Sequence, residues 1–187
     1  MARSMETKAR IAGHPIHPML VALPIGLYVA TVAALLAYVG LEDPFYFRAA
    51  LVANVAGVVM ALVAAIPGAI DLFSLPKGSR ARATGLKHAS FALLATGLFA
   101  VAAATSYRQW AGGGVPDATV PLVLSIVGVL SLLVAGWLGW TMVQTHHVGV
   151  KPSFRAARSV PASEDYDDVV TPPPVSNGHG GDHYFPH

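Results

Sequence analysis

Residues 16–41 read IHPMLVALPIGLYVATVAALLAYVGL, a run with no Asp, Glu, Lys or Arg. A helix crosses the hydrocarbon core of a bilayer with about 20 residues. Backbone polar groups in lipid must be satisfied within their own segment, which selects helix over open strand. Residues 49–70, 88–107 and 118–149 are likewise free of those charges. The whole chain is 54% hydrophobic and 12% charged, with mean hydropathy +0.55, about half the charge of a soluble domain. The sequence predicts an all-α integral membrane protein. Four transmembrane helices are expected at about 18–41, 48–70, 88–107 and 118–145, within a domain covering 1–150. The connections are short, so neighbours should be antiparallel and the bundle up-down-up-down. The basic N-terminus before an apolar run looks like a signal peptide, but the run is too long for one, so it is read as an uncleaved span.

Charge orients the bundle. Ten of the twelve Lys and Arg fall in the N-terminal segment (Arg3, Lys8, Arg10), the second loop (Lys77, Arg80, Arg82, Lys87) and the C-terminal segment (Lys151, Arg155, Arg158). The positive-inside rule then places both termini and the second loop in the cytoplasm. Residues 151–187 change character: after Arg158 they carry acids but no Lys or Arg, with Pro172–Pro174 and several glycines. Such a segment buries too little apolar surface to order itself, and a disordered cytoplasmic tail is expected. Its His179, His183 and His187 could bind metal loosely.

Small residues recur at four-residue spacing in each span, for example Ala22, Gly26 and Ala30, and Ser131, Ala135 and Gly139. In lipid such ladders favour close helix approach, and they are read here as packing faces.

The histidines are one-sided. His14 and His17 stand at the entry of the first span, His88 at that of the third, and His146 and His147 at the exit of the fourth. Asp71 stands at the exit of the second. All four spans thus bring a metal-capable side chain to one face. Imidazole is a common ligand of metals and of non-covalent haem, and bundles build such sites from facing helices. Two chemistries compete. One haem b could sit between two axial histidines from His17, His88 and His146. A bare Zn, Fe, Cu or Ni ion could instead be held by three or four of His14, His17, His88, His146 and Asp71. The plain alternative is that the histidines are interfacial and Asp71 only closes its helix.

Other chemistry is excluded or unsupported. Without cysteine there are no disulfides, thiolate metal sites or covalent c-type haem. No phosphate-binding glycine loop, HExxH or Ser/His/Asp motif points to an enzyme, and no nucleic-acid partner is expected. Mid-span carboxylates and obvious inverted repeats, marks of a secondary carrier, are missing.

The stretch GHPIHPMLVALPIGLYV, through His14, Pro15, His17, Pro18, Leu20, Pro24 and Gly26, resembles the bacterial membrane family called domain of unknown function 2231. His88 after a basic loop fits the same pattern. The resemblance covers about residues 10–150 and implies a four-helix bacterial inner-membrane protein. Some similar proteins are joined to Rieske modules, and the architecture is similar to four-helix b-type cytochromes, which implies electron transfer. A two-haem relay would need histidines at both faces, and the outer face has none. The expected function is a redox subunit binding one haem b or a transition metal at the cytoplasmic face. Its partners would be the lipid bilayer, other membrane or redox proteins, and a possible second copy of the chain. The alternatives are a cofactor-free structural or assembly subunit and a small transporter or sensor.

Overall fold

The structure, a computed structural model, describes residues 8–12 and 14–149. The C-terminal segment read as a disordered tail lies outside the described residues. A two-strand hairpin, β1 (Arg10–Ile11) with β2 (His14–Pro15), leads into α1 (Ile16–Leu20) and α2 (Ala22–Leu41). These are followed by α3 (Pro44–Ser74), α4 (Arg80–Ala111) and α5 (Thr119–Gln144). Each of the four spans Ile16–Leu41, α3, α4 and α5 is long and apolar enough to cross a membrane. Large apolar side chains such as Leu23, Val29, Leu36, Val52 and Leu133 face outward, as lipid contact requires.

The first span is interrupted at Val21, between α1 and α2. Buried Pro24 accounts for it: proline has no N–H to give the carbonyl four residues back and its ring crowds that turn. Asp43 starts α3, its carboxylate accepting from the Phe45 N–H at 2.9 Å, with Pro44 at the favoured first position. Ser79 starts α4 by accepting from the Arg82 N–H at 3.1 Å. α3 and α4 run further than the uncharged stretches indicated. Residues 80–87 hold Arg80, Arg82 and Lys87 and are still helical, so α4 projects beyond the apolar zone. His88 therefore lies eight residues, about 12 Å, inside its helix rather than at its start.

Side-chain pairings fix the topology. Moving along α2 from Tyr28 to Tyr38, the partners on α3 step backward from Gly57 to Phe47, so the two are antiparallel. Phe99 with Gly128 and His88 with Ala135 show the same for α4 and α5. The tightest packing is within these two hairpins, α2 on α3 and α4 on α5. The ring closes by lighter contacts of α3 with α4 and α2 with α5. Tyr38 adds a clamp at the far end, its hydroxyl donating to the Pro116 carbonyl at 2.7 Å. Arg48 stacks over Trp110 at 4.2 Å nearby.

The two hairpins are repeats of one unit. Residues 51–68, LVANVAGVVMALVAAIPG, align without a gap with residues 122–139, LVLSIVGVLSLLVAGWLG, at an offset of 71. The offset carries the core with it. Buried Pro24, Tyr28, Thr31 and Leu35 map onto buried Ala95, Phe99, Ala102 and Ser106. Buried Phe47, Ala50, Asn54, Gly57 and Ala64 map onto buried Ala118, Pro121, Ser125, Gly128 and Ala135. The repeats run in the same direction, so they are related by a pseudo-two-fold axis along the bundle, the parallel form of repeat. Tyr28 and Phe99, equivalent residues, stack on each other with ring centres 3.8 Å apart and planes 9° from parallel.

Spacings of three and four alternate along the core, as at Pro24, Tyr28, Thr31, Leu35 and Tyr38, which is the heptad of a left-handed bundle. Strict four-residue ladders drift off this seam. Ala22, Gly26 and Ala30 accordingly point outward, contrary to the packing face expected for them, while Ser131 and Ala135 are buried.

The glycine seats generate a stability prediction. A Cβ at Gly57 would stand 2.9 Å from the Tyr28 ring, and one at Gly128 2.8 Å from Phe99. Overpacking costs about 1–3 kcal/mol, against a helix-propensity gain of about 1 kcal/mol for Gly→Ala. Gly128→Ala should lower the thermal unfolding midpoint in detergent. Gly97→Ala, with nothing within 4 Å of the new methyl, should raise it or leave it unchanged.

Candidate functional site

At the basic end, each hairpin holds one histidine in the same way. His17 in α1 donates from Nδ1 to the Ala64 carbonyl of α3 at 2.8 Å. His88 in α4 donates from Nδ1 to the Ala135 carbonyl of α5 at 2.7 Å. The partner residue is 47 positions along the chain in both cases. One turn beyond each carbonyl lies a glycine, Gly68 or Gly139, against which the ring rests. A Cβ at Gly68 would meet His17 at 2.8 Å, and one at Gly139 would meet His88 at 3.4 Å. At Gly68 only glycine lets the ring approach the partner helix so closely, whereas at Gly139 a methyl would just touch the ring.

The pseudo-two-fold axis brings the two rings together. Their centres are 6.2 Å apart with planes at 88°. A carbonyl only accepts, so Nδ1 carries the hydrogen in both rings, and in the neutral form the lone pair is left on Nε2. Neither Nε2 has a hydrogen-bond partner among the described residues. A ring held through Nδ1–H to a carbonyl, with Nε2 free, is the usual second-shell support of a metal-ligating histidine.

The other residues singled out from sequence do not join them. His14 is exposed on the hairpin, its Nδ1 against the Ala12 carbonyl at 3.1 Å. His146 follows the end of α5 and meets the Thr84 hydroxyl through Nε2 at 3.2 Å. His147 is exposed. The Asp71 carboxylate accepts from the Ala9 N–H at 2.9 Å, and the Ala9 carbonyl accepts from the Ile16 N–H at 3.0 Å. Asp71 thus fastens the entry hairpin to the end of α3. Among the described residues, no three His, Asp or Glu side chains are grouped to hold a metal ion. Trp137 and Trp140 are 72% and 62% exposed, so they face the surroundings of the bundle rather than a pocket within it.

Sequence reasoning missed the supports: the Ala64 and Ala135 carbonyls and the glycines below them. The 71-residue offset could have found them, since it maps His17, Ala64 and Gly68 onto His88, Ala135 and Gly139.

The sequence profile of a family described as "Predicted membrane protein (DUF2231)" matches residues 13–152. The chain belongs to this family. The matched region holds the whole bundle and both ring-bearing hairpins. No curated protein and no solved structure matches the chain.

The role assigned to Asp71 is checked by proteolysis. Asp71→Ala should speed tryptic cleavage at Arg10 several-fold by releasing the hairpin, while Asp71→Asn, which keeps an acceptor oxygen, should show a smaller effect. Equal cleavage rates in all three proteins would remove the anchoring role.

Proposed function

We propose that this integral membrane protein is an electron-transfer subunit carrying one haem b between His17 and His88, at the cytoplasmic face of a bacterial inner membrane. The observation that carries this reading is the pair of equivalent imidazoles with their rings 6.2 Å apart and their Nδ1 atoms bonded to the partner helices. His17 and His88, each with its Nε2 lone pair uncommitted, would be the residues that hold the metal, and imidazole is a common ligand for it.

Ligand number decides between haem and a bare ion. Structural zinc sites take four protein ligands and catalytic ones three. Haem would need no more than two side-chain ligands from the protein, and His17 and His88 would supply them. Two histidines without a third His, Asp or Glu beside them among the described residues suit haem better than a bare Zn, Fe, Cu or Ni ion. Arg80 and Lys87, exposed on the first turns of α4 at the same end, are cations of the kind that propionates need. The role is one of holding and passing an electron to other redox proteins, not of catalysis.

The reading is tested with the full-length protein expressed with haem precursor and purified in detergent. Oxidised and dithionite-reduced spectra should differ by a sharp α-band. His17→Ala and His88→Ala should each reduce haem content more than tenfold, and His14→Ala and His146→Ala should leave it intact. A colourless protein with one equivalent of transition metal would move the site to a bare ion. With neither, the cofactor-free assembly subunit becomes the better account.

A further inference from the structure

A second pair of equivalent positions, far from the histidines, carries polar atoms left unpaired among the described residues. The Asn54 Oδ1 and Ser125 Oγ atoms, like the Tyr28 hydroxyl, are buried and have no hydrogen-bond partner among the described residues. Asn54 is 2% exposed and Ser125 0%. They occupy the same position in the two repeats, 71 residues apart. Each stands three residues, about 4.5 Å along its helix, from the glycine that seats an aromatic ring. The stacked Tyr28 and Phe99 rings therefore close this cross-section on the side of the basic end. The other two helices contribute Thr31 and Ala102 at this level, both buried. The cross-section thus consists of small or polar side chains above two large rings.

An orphaned acceptor in the hydrocarbon zone costs several kcal/mol, so two at equivalent positions call for a common explanation. A buried water needs two to four polar partners and a space not filled by side chains. A cross-section of Thr, Asn, Ala and Ser meets the first condition, and its side chains are small. We propose that Asn54 and Ser125 hold ordered water inside the bundle, one or two molecules linking the repeats across the pseudo-two-fold axis. This water site is independent of the His17–His88 site.

Two measurements on the full-length protein in lipid nanodiscs test it: the unfolding midpoint, and the infrared O–H stretch of internal water, identified by its shift on exchange into H2-18-O. Ser125→Ala should lower the midpoint by about 2–4 °C, as expected for roughly 1 kcal/mol in a chain of this size. It should also remove or shift an isotope-sensitive band that Asn54→Leu affects in the same way. If the serine oxygen is simply an unpaired group, its removal relieves a desolvation cost. The midpoint would then rise with no change in the water bands, and the proposal fails. A lower midpoint without an isotope-sensitive band would mean a direct Asn–Ser bond and also overturns it. So would a wild-type midpoint that climbs with Na+ or K+ at constant ionic strength and loses that response in both variants, which assigns a cation to the site.

Discussion

The bundle depends on one steric condition: a large side chain of one helix must find no Cβ opposite it on the next. Lipid tails are as apolar as the helices, so burial of apolar surface gives little reason for helices to associate in a bilayer. Close packing and hydrogen bonds between helices have to supply it. Gly57 and Gly128 admit Tyr28 and Phe99, and Gly68 admits His17. The same close approach that packs the hairpins brings each Nδ1 within 2.8 Å of a carbonyl of the partner helix. A Cβ at Gly68 would strain both the ring contact and the hydrogen bond of His17 together. Fold and candidate site therefore rest on the same backbone approach.

The four spans and their order were legible because bilayer thickness imposes a length and an absence of charge that composition reveals directly. Helix ends were less so. The uncharged stretches end at the membrane, whereas α4 continues outward through Arg80 and Arg82, since water stops neither helix propagation nor a Ser79 cap. The packing faces were misjudged on the first span. In an alanine-rich chain, four-residue ladders such as Ala22, Gly26 and Ala30 arise without facing a neighbour. The seam that does face one alternates threes and fours and includes large residues, Tyr28 and Leu35, which no small-residue rule selects.

The site shows the same division. His17 and His88 could be singled out by residue type and by side of the membrane. That they meet, and that His146 and Asp71 do not join them, depends on rotation of each helix about its axis. No uncharged run encodes that rotation. The duplication does encode part of it. Once His17 and His88 are recognised as equivalent positions of two parallel repeats, the pseudo-two-fold axis requires their surroundings to match and makes the axis the natural place for them to approach. Asp71 has Met142 and His14 has Gly85 at the equivalent positions, so neither belongs to the repeated set. Both instead serve the entry hairpin, which only the first repeat possesses.

The divergence between the repeats bears on what the imidazoles are for. At several core positions that serve packing the two halves have drifted: Leu35 against Ser106, Phe47 against Ala118, Pro24 against Ala95. Even the axial stack tolerates loss of a hydroxyl, Tyr28 against Phe99. At 17 and 88 the residue is histidine in both, with the same acceptor and the same glycine. A side chain needed only to donate one hydrogen bond to a carbonyl could be asparagine, glutamine, serine or threonine. Ser131, donating to the Phe91 carbonyl at 2.9 Å, performs that task within this bundle. What histidine adds is a second nitrogen whose lone pair stays available once the first is engaged. Its presence in both repeats, paired across the axis, supports a role for Nε2 beyond packing, and a shared ligand on the axis is the role that uses both atoms alike.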